Sequence, residues 1–201
     1  MNEIIDRPIM VHITTQRQPV GNQLFDELFF RMNRSGVDEL GPEPIDPPSE
    51  LPQDDTDPSG YRLERDPEEP AEQMELFSEG TLTVTDDRVS LQYEETELTG
   101  MVGTTSEILF HPNEPTLVHL TRSGIVSSSM TFKPHARVAC VYQTPYMPFQ
   151  LGIHCLAVEN NLLHGGMLCL NYIIEIRGAK AEWCHMQIDF KEIQAPADSN
   201  A

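Results

Sequence analysis

Positive charge is scarce in this chain. Its 201 residues hold 13 lysines and arginines against 32 aspartates and glutamates, a formal net charge of −19. Such a surface repels nucleic-acid phosphates and anionic lipid, so neither nucleic acid nor a membrane is expected as a partner. Long apolar runs are lacking too, and none approaches the ~20 residues of a membrane-spanning helix. The opening residues Met1-Asn2-Glu3-Ile4-Ile5-Asp6 carry neither the basic stretch nor the apolar core of a secretory signal. Cysteine is limited to Cys140, Cys155, Cys169 and Cys184, never as Cys-x-x-Cys, each beside apolar neighbours in a strand-like segment. Without an export signal these read as buried free thiols in a reducing cytoplasm.

Chemical motifs are equally sparse. The seven histidines include no His-x-His or His-x-x-x-His spacing. His154-Cys155 and Cys184-His185 are adjacent pairs on strands, so each splits across two faces, and no metal site is expected. Ser127-Ser128-Ser129 lacks a Gly-x-Ser-x-Gly elbow and reads as ladder positions. Gly100-x-x-Gly103 and Gly165-Gly166 lack the lysine and helix start of a phosphate loop. No cofactor is called for, and enzymatic activity is the least favoured reading.

What is present is a run of strands from about Met74 to Ile193, with turns at nearly regular intervals and no helix expected between them. Strand-like segments fall at 7–16, 75–84, 88–95, 103–110, 116–121, 125–132, 136–142, 150–158, 167–176 and 182–191, about ten in all. Turn chemistry separates them, including Thr85-Asp86-Asp87, Arg122-Ser123-Gly124, Thr144-Pro145-Tyr146-Met147-Pro148, Glu159-Asn160-Asn161 and Arg177-Gly178-Ala179-Lys180. Gly166 marks a bulge or a sharp bend. Short connections favour antiparallel neighbours, and a sheet of this size must close to hide its edges. An all-β antiparallel barrel is therefore expected, formed by 7–16 and 74–193.

Two features interrupt it after the first strand. Leu24, Phe25, Leu28, Phe29 and Met32 fall at helical spacing behind Asn22, predicting a short amphipathic helix over 22–32. Residues 34–73 carry 13 acidic and 3 basic side chains and eight of the sixteen prolines. Such a segment has little apolar surface to set against its ordering entropy, and it reads as a disordered insertion. A disordered tail is expected over 194–201. Residues 22–73 are also the place where a basic or apolar protein partner would dock.

Alternation assigns the interior. In 88–95 the inward set is Val89, Leu91 and Tyr93. In 116–122 one face holds Val118, Leu120 and Arg122, the other Leu117, His119 and Thr121. In 167–176 Leu168, Leu170, Tyr172, Ile174 and Ile176 form an apolar face. Glu94 and Glu95 point to opposite faces, so they cannot act as a dyad; one of them is placed to pair with Arg122 across the sheet. The candidate ligand contacts are Arg122, Tyr93, Glu95, Tyr142 and Tyr172, with the guanidinium suited to an anionic head group.

Several spaced motifs occur in order: Gly80-Thr81-Leu82, Leu91-Gln92-Tyr93-Glu94-Glu95-Thr96, Thr99-Gly100-Met101-Val102-Gly103-Thr104-Thr105, Leu120-Thr121-Arg122-Ser123-Gly124, Met130-Thr131-Phe132, Tyr142-Gln143-Thr144-Pro145-Tyr146 and Gly165-Gly166-Met167-Leu168-Cys169-Leu170-Asn171-Tyr172. In these the chain resembles the YwiB-like family, a bacterial domain of unknown function, over roughly 7–16 and 74–192. The resemblance implies a calycin-type (lipocalin-like) barrel and, by analogy of fold, a small apolar or amphipathic ligand. It brings no activity with it. The same analogy points to Trp183, with Arg122 or Arg177, as closing one barrel end, with plain core packing as the alternative. Met147 stands where relatives tend to have glycine, and the helix and acidic segment replace a short connector.

Overall fold

The computed structural model describes residues 4–20, 71–176 and 181–193. The helix expected over 22–32, the acidic segment up to residue 70, the 177–180 turn and the tail lie outside them. Ten strands close into one antiparallel barrel in the order β1-β10-β9-β8-β7-β6-β5-β4-β3-β2. They are β1 (Ile5–Val20), β2 (Glu72–Val84), β3 (Val89–Glu94), β4 (Thr104–His111), β5 (Glu114–Gly124), β6 (Ser127–Phe132), β7 (Arg137–Gln143), β8 (Pro148–Asn161), β9 (Met167–Ile176) and β10 (Ala181–Glu192). Every strand pairs with its sequence neighbour, and β1 with β10 completes the circle. β1 extends beyond the expected 7–16, because both β10 and β2 supply partners along its length. β2 starts at Glu72, inside the stretch read as insertion, where Arg17↔Glu72 and Gln16↔Gln73 continue the ladder.

Alternation holds along the strands and packs one continuous core. Ile9, Val11 and Ile13 of β1 meet Leu82, Leu91, Ile108, Phe110, Leu120 and Phe132, then Ile153, Leu168, Leu170 and Ile188. β-branched and aromatic side chains fit this pleated, one-sided burial. A bulge between Cys155 and Ala157 shifts the inward set of β8, so that Cys155 and Val158 are both buried three residues apart. The seam between β6 and β7 is the narrowest, with only Ser127↔Gln143 and Ser128↔Tyr142 in register.

Three expectations need correction. Glu159-Asn160-Asn161 is not a turn: β8 runs through it, and Asn160 Nδ2 donates to the Pro115 carbonyl at 2.9 Å. The chain reverses instead through a helical turn, Leu162–Gly165, which Gly166 ends in a left-handed cap at φ +68°, with no bulge there. A 3₁₀ turn, Glu97–Thr99, also interrupts the β-run, ended the same way by Gly100. Trp183 does not close the barrel. It lies on the outer face against Ile173 and Leu156, and its indole N–H donates to Asn171 Oδ1 at 2.6 Å.

Antiparallel order sets the two ends apart. β1, β3, β5, β7 and β9 all end, and the strands that follow them begin, at one end of the barrel, called the mouth below. The Ile125 and Val126 turn is pinned there: Ile125 N donates to the Gly103 carbonyl at 3.3 Å and Val126 N to Thr104 Oγ1 at 3.1 Å. Gly124 sits at φ +140°, and a Cβ there would lie 2.1 Å from the Gly103 carbonyl oxygen. Gly100, at φ +69°, has nothing within 4 Å of that position. Gly100→Ala should therefore cost about 1 kcal/mol, the left-handed penalty alone, whereas Gly124→Ala must also move backbone and should cost clearly more. Urea unfolding of the two variants checks the order; equal losses would refute it.

Candidate functional site

Toward the mouth, the interior wall formed by β3 to β7 is polar, and register shows why. Gly80↔Tyr93, Tyr93↔Ser106, Ser106↔Arg122, Arg122↔Ser128 and Ser128↔Tyr142 are successive direct partners across β2 to β7. One rung of the barrel wall thus brings Tyr93, Ser106, Arg122, Ser128 and Tyr142 to a single level on the inner face. Gly80 begins the row where a side chain would strike the Gln92 carbonyl, 2.4 Å away. Glu95 lies one inward step nearer the mouth than Tyr93. The inward set of this strand therefore runs past Tyr93 to the acid, which alternation had placed no further than the tyrosine.

Glu95 is the centre of the hydrogen-bonding. Its side chain is 1% exposed, and that of Arg122 12%. Ser106 Oγ donates to Glu95 Oε1 at 2.5 Å, and Arg122 Nε donates to the same oxygen at 3.3 Å. Glu94, on the opposite face, accepts from Thr105 Oγ1 at 2.8 Å instead. A buried carboxylate and guanidinium hold each other in a setting where either alone would be costly.

Three phenols surround this pair. Burial pushes the Tyr93 hydroxyl far above its ordinary pKa, the Glu95 charge adds to the shift, and Arg122 opposes it. Burial likewise raises Tyr172, which also feels Cys184, Arg122, Arg17 and Tyr93. Burial opposes the charge on Arg122, but Tyr93, Glu95, Tyr142 and Tyr172 outweigh it, and its pKa rises. Tyr93 and Tyr172 are thus neutral O–H donors and the arginine a fixed cation at neutral pH. The Tyr142 hydroxyl donates to the Met101 sulfur at 3.1 Å. That contact carries the β3–β4 connection over the mouth toward β7. The Tyr172 ring meets Phe132 edge to face across the lumen, centroids 4.9 Å apart. Beyond these two rings the interior is aliphatic and aromatic.

All five candidate residues, Arg122, Tyr93, Glu95, Tyr142 and Tyr172, therefore face inward in the mouth half. Sequence reading missed Ser106, Ser128 and Met101. Parity on β4 and β6 is the signal that finds the two serines once Arg122 is known to point inward. Ser128 Oγ is buried and has no hydrogen-bond partner among the described residues, and the same holds for Thr15 Oγ1 on the inner face of β1. The four cysteines are free, and burial pushes the Cys184 thiol up to about 12 and Cys155 up to about 11. No group of three or more His, Cys, Asp or Glu side chains converges as a metal site among the described residues. No helix among them is long and apolar enough to cross a membrane.

The pair makes a direct prediction. Arg122→Met leaves Glu95 buried without its countercharge and should cost about 3–5 kcal/mol. Arg122→Met combined with Glu95→Leu should recover much of that loss. Additive losses in urea unfolding of the singles and the double would show that the two groups do not depend on each other.

The geometry can be set beside known proteins. No curated protein matches the chain. Among solved structures it is similar to the YwiB protein from Bacillus subtilis, with 14% sequence identity, 94% of each chain covered and a TM-score of 0.57. Identity that low speaks for the fold alone. The family model described as "Domain of unknown function (DUF1934)" matches residues 61–188, more than half of the chain, spanning β2 to β9 whole and most of β10. The YwiB-like likeness read from the motifs thus agrees with the barrel and with the family match, and the chain belongs to the DUF1934 family.

Proposed function

We propose that this barrel is a cytoplasmic binding module of calycin type, taking a small apolar or amphipathic molecule at its mouth. The observation that carries the reading is the orphaned Ser128 hydroxyl in the same rung as Arg122. Buried hydroxyls ordinarily have partners, and leaving one without costs about 1–3 kcal/mol. A site that stays polar and under-satisfied inside an otherwise apolar barrel fits a group supplied from outside. Arg122, Tyr93, Glu95, Tyr142 and Tyr172 are its contacts in this reading, with Ser128 added.

A second reading is favoured by the mouth's outer rim. Leu98, Val102, Ile125, Tyr146 and Met147 are exposed apolar side chains on its connections, and Tyr146 is 95% exposed. The β1–β2 connection, which contains the acidic segment, leaves from the same end. In this reading the mouth is an interaction surface for a protein with a basic, apolar face.

Native and denaturing mass spectrometry of gently purified protein separate the two readings. A stoichiometric small-molecule mass lost on denaturation is the expected result. A clean apo chain whose partner proteins dissociate when residues 34–70 are deleted would favour the second reading over the first.

A further inference from the structure

Counting donors against acceptors in the mouth half leaves an imbalance. The only strong acceptor drawn into the described network is Glu95, and one of its oxygens already serves Ser106 and Arg122 Nε. Ser128 Oγ has no partner. Tyr142 donates to a thioether, a weak acceptor. Tyr172 has the Cys184 thiol beside it, also weak. The ion pair of Arg122 with Glu95 runs through Nε, not through the terminal fork of the guanidinium. Burial keeps the Tyr93 and Tyr172 phenols protonated, so both are donors, Tyr93 being already engaged with Ser106 and Glu95. Arg17, facing the lumen from the rim of β1, adds a second positive charge that reaches Tyr172 and Cys184. Besides Glu95, Glu72 stands opposite Arg17 in the ladder and Glu182 acts on Cys184.

Resting on the binding-module reading, we propose that the ligand presents a carboxylate to Arg122, with Ser128 and Tyr142 donating to the same head group. Arg122 and Ser128 are direct cross-strand neighbours on one face, and Ser128 and Tyr142 are the next such pair. A planar, bidentate acceptor suits the guanidinium fork and leaves a lone pair for each hydroxyl. One negative charge is what the site accommodates. Glu95 already offsets Arg122, so a dianionic phosphate would face a carboxylate with only the exposed Arg17 to balance it. The orientation follows from the floor. Below the polar rung the row Leu91, Ile108, Leu120 and Met130, and then the Phe132–Tyr172 ring contact, fill the interior with buried apolar side chains, so the head lies inward and the tail runs out past Met101 toward Leu98, Val102 and Ile125.

The probes are decanoate and decan-1-ol, which share a tail and differ in the head, titrated into the full chain by calorimetry. Decanoate is expected to bind roughly tenfold or more tightly than decanol, the scale of a charge-assisted hydrogen bond. Ser128→Ala should weaken decanoate severalfold and leave decanol unchanged. Arg122→Lys should weaken it further; if that variant unfolds, Ser128→Ala and the decanoate-to-decanol ratio still decide the question. Equal binding of the two probes overturns the carboxylate and leaves the binding module standing. Binding of neither probe, with an unrelated mass in the native spectrum, overturns the carboxylate alone. Binding of neither, with a clean apo spectrum, overturns both.

Discussion

The buried pairing of Glu95 with Arg122 constrains the mouth half of this barrel. A carboxylate that is 1% exposed can stay inside only if its countercharge is fixed, and that fixes β3, β4 and β5 together, because Ser106 and Arg122 both donate to one oxygen. A slip of one residue between β4 and β5 would turn Arg122 outward and leave the acid alone. Apolar residues fix the register of the other half by burial; here charge fixes it. The pair is weak grounds for net stability, since an apolar pair of similar volume often does as well. Its position beside the orphaned Ser128 hydroxyl fits a site better than a core.

The two ends divide the work. Away from the mouth, Phe110, Phe132, Ile9, Leu91 and Leu168 fill the space between the walls as a core does. At the mouth, the polar rung is framed by loops pinned to one another: Ile125 N to the Gly103 carbonyl, Val126 N to Thr104, and Tyr142 to Met101. The corner after β7 is held differently. Thr144 Oγ1 accepts from the Tyr146 and Met147 amides and donates to the Met147 carbonyl, so the turn needs no glycine at 147. The departure from the family pattern at Met147 thus has a local explanation in the threonine two residues before Tyr146.

Much of the barrel was legible because its signals are local. Period-2 alternation in 88–95, 116–122 and 167–176, with Gly/Asn/Asp/Pro turns, gives strand number and inward faces directly, and sequential pairing follows from short connections. Register is not local. That Tyr93, Ser106, Arg122, Ser128 and Tyr142 share one rung depends on four ladders, each set by turns whose length shifts every partner. So Tyr93, Arg122 and Tyr142 could be named as inward polar residues, but the serines between them could not be singled out from ordinary ladder positions. Trp183 went wrong for a related reason. Fold analogy placed an aromatic at the barrel end, while parity with buried Cys184 puts residue 183 outside. Glu159-Asn160-Asn161 has turn composition, yet here Asn160 spends its side chain on the Pro115 carbonyl and the Leu162 amide, and the strand continues.

The β6–β7 seam joins the architecture to the site. Backbone pairing there is limited to Ser127↔Gln143 and Ser128↔Tyr142, and beyond that level Met130, Phe132 and Cys140 hold the walls by packing. The ladder therefore closes the barrel at the level of the polar rung and almost nowhere else along this seam. Both inward residues of that short ladder carry hydroxyls, one unpartnered and one spent on a thioether. An apolar pair there would have sealed the seam more firmly, since packing would have added to two residue pairs of hydrogen bonds. The sequence instead places an unpartnered hydroxyl and a weakly engaged one where the wall is least tied. That arrangement weakens an empty barrel, and it gives an acceptor spanning β5, β6 and β7 the most to tie together.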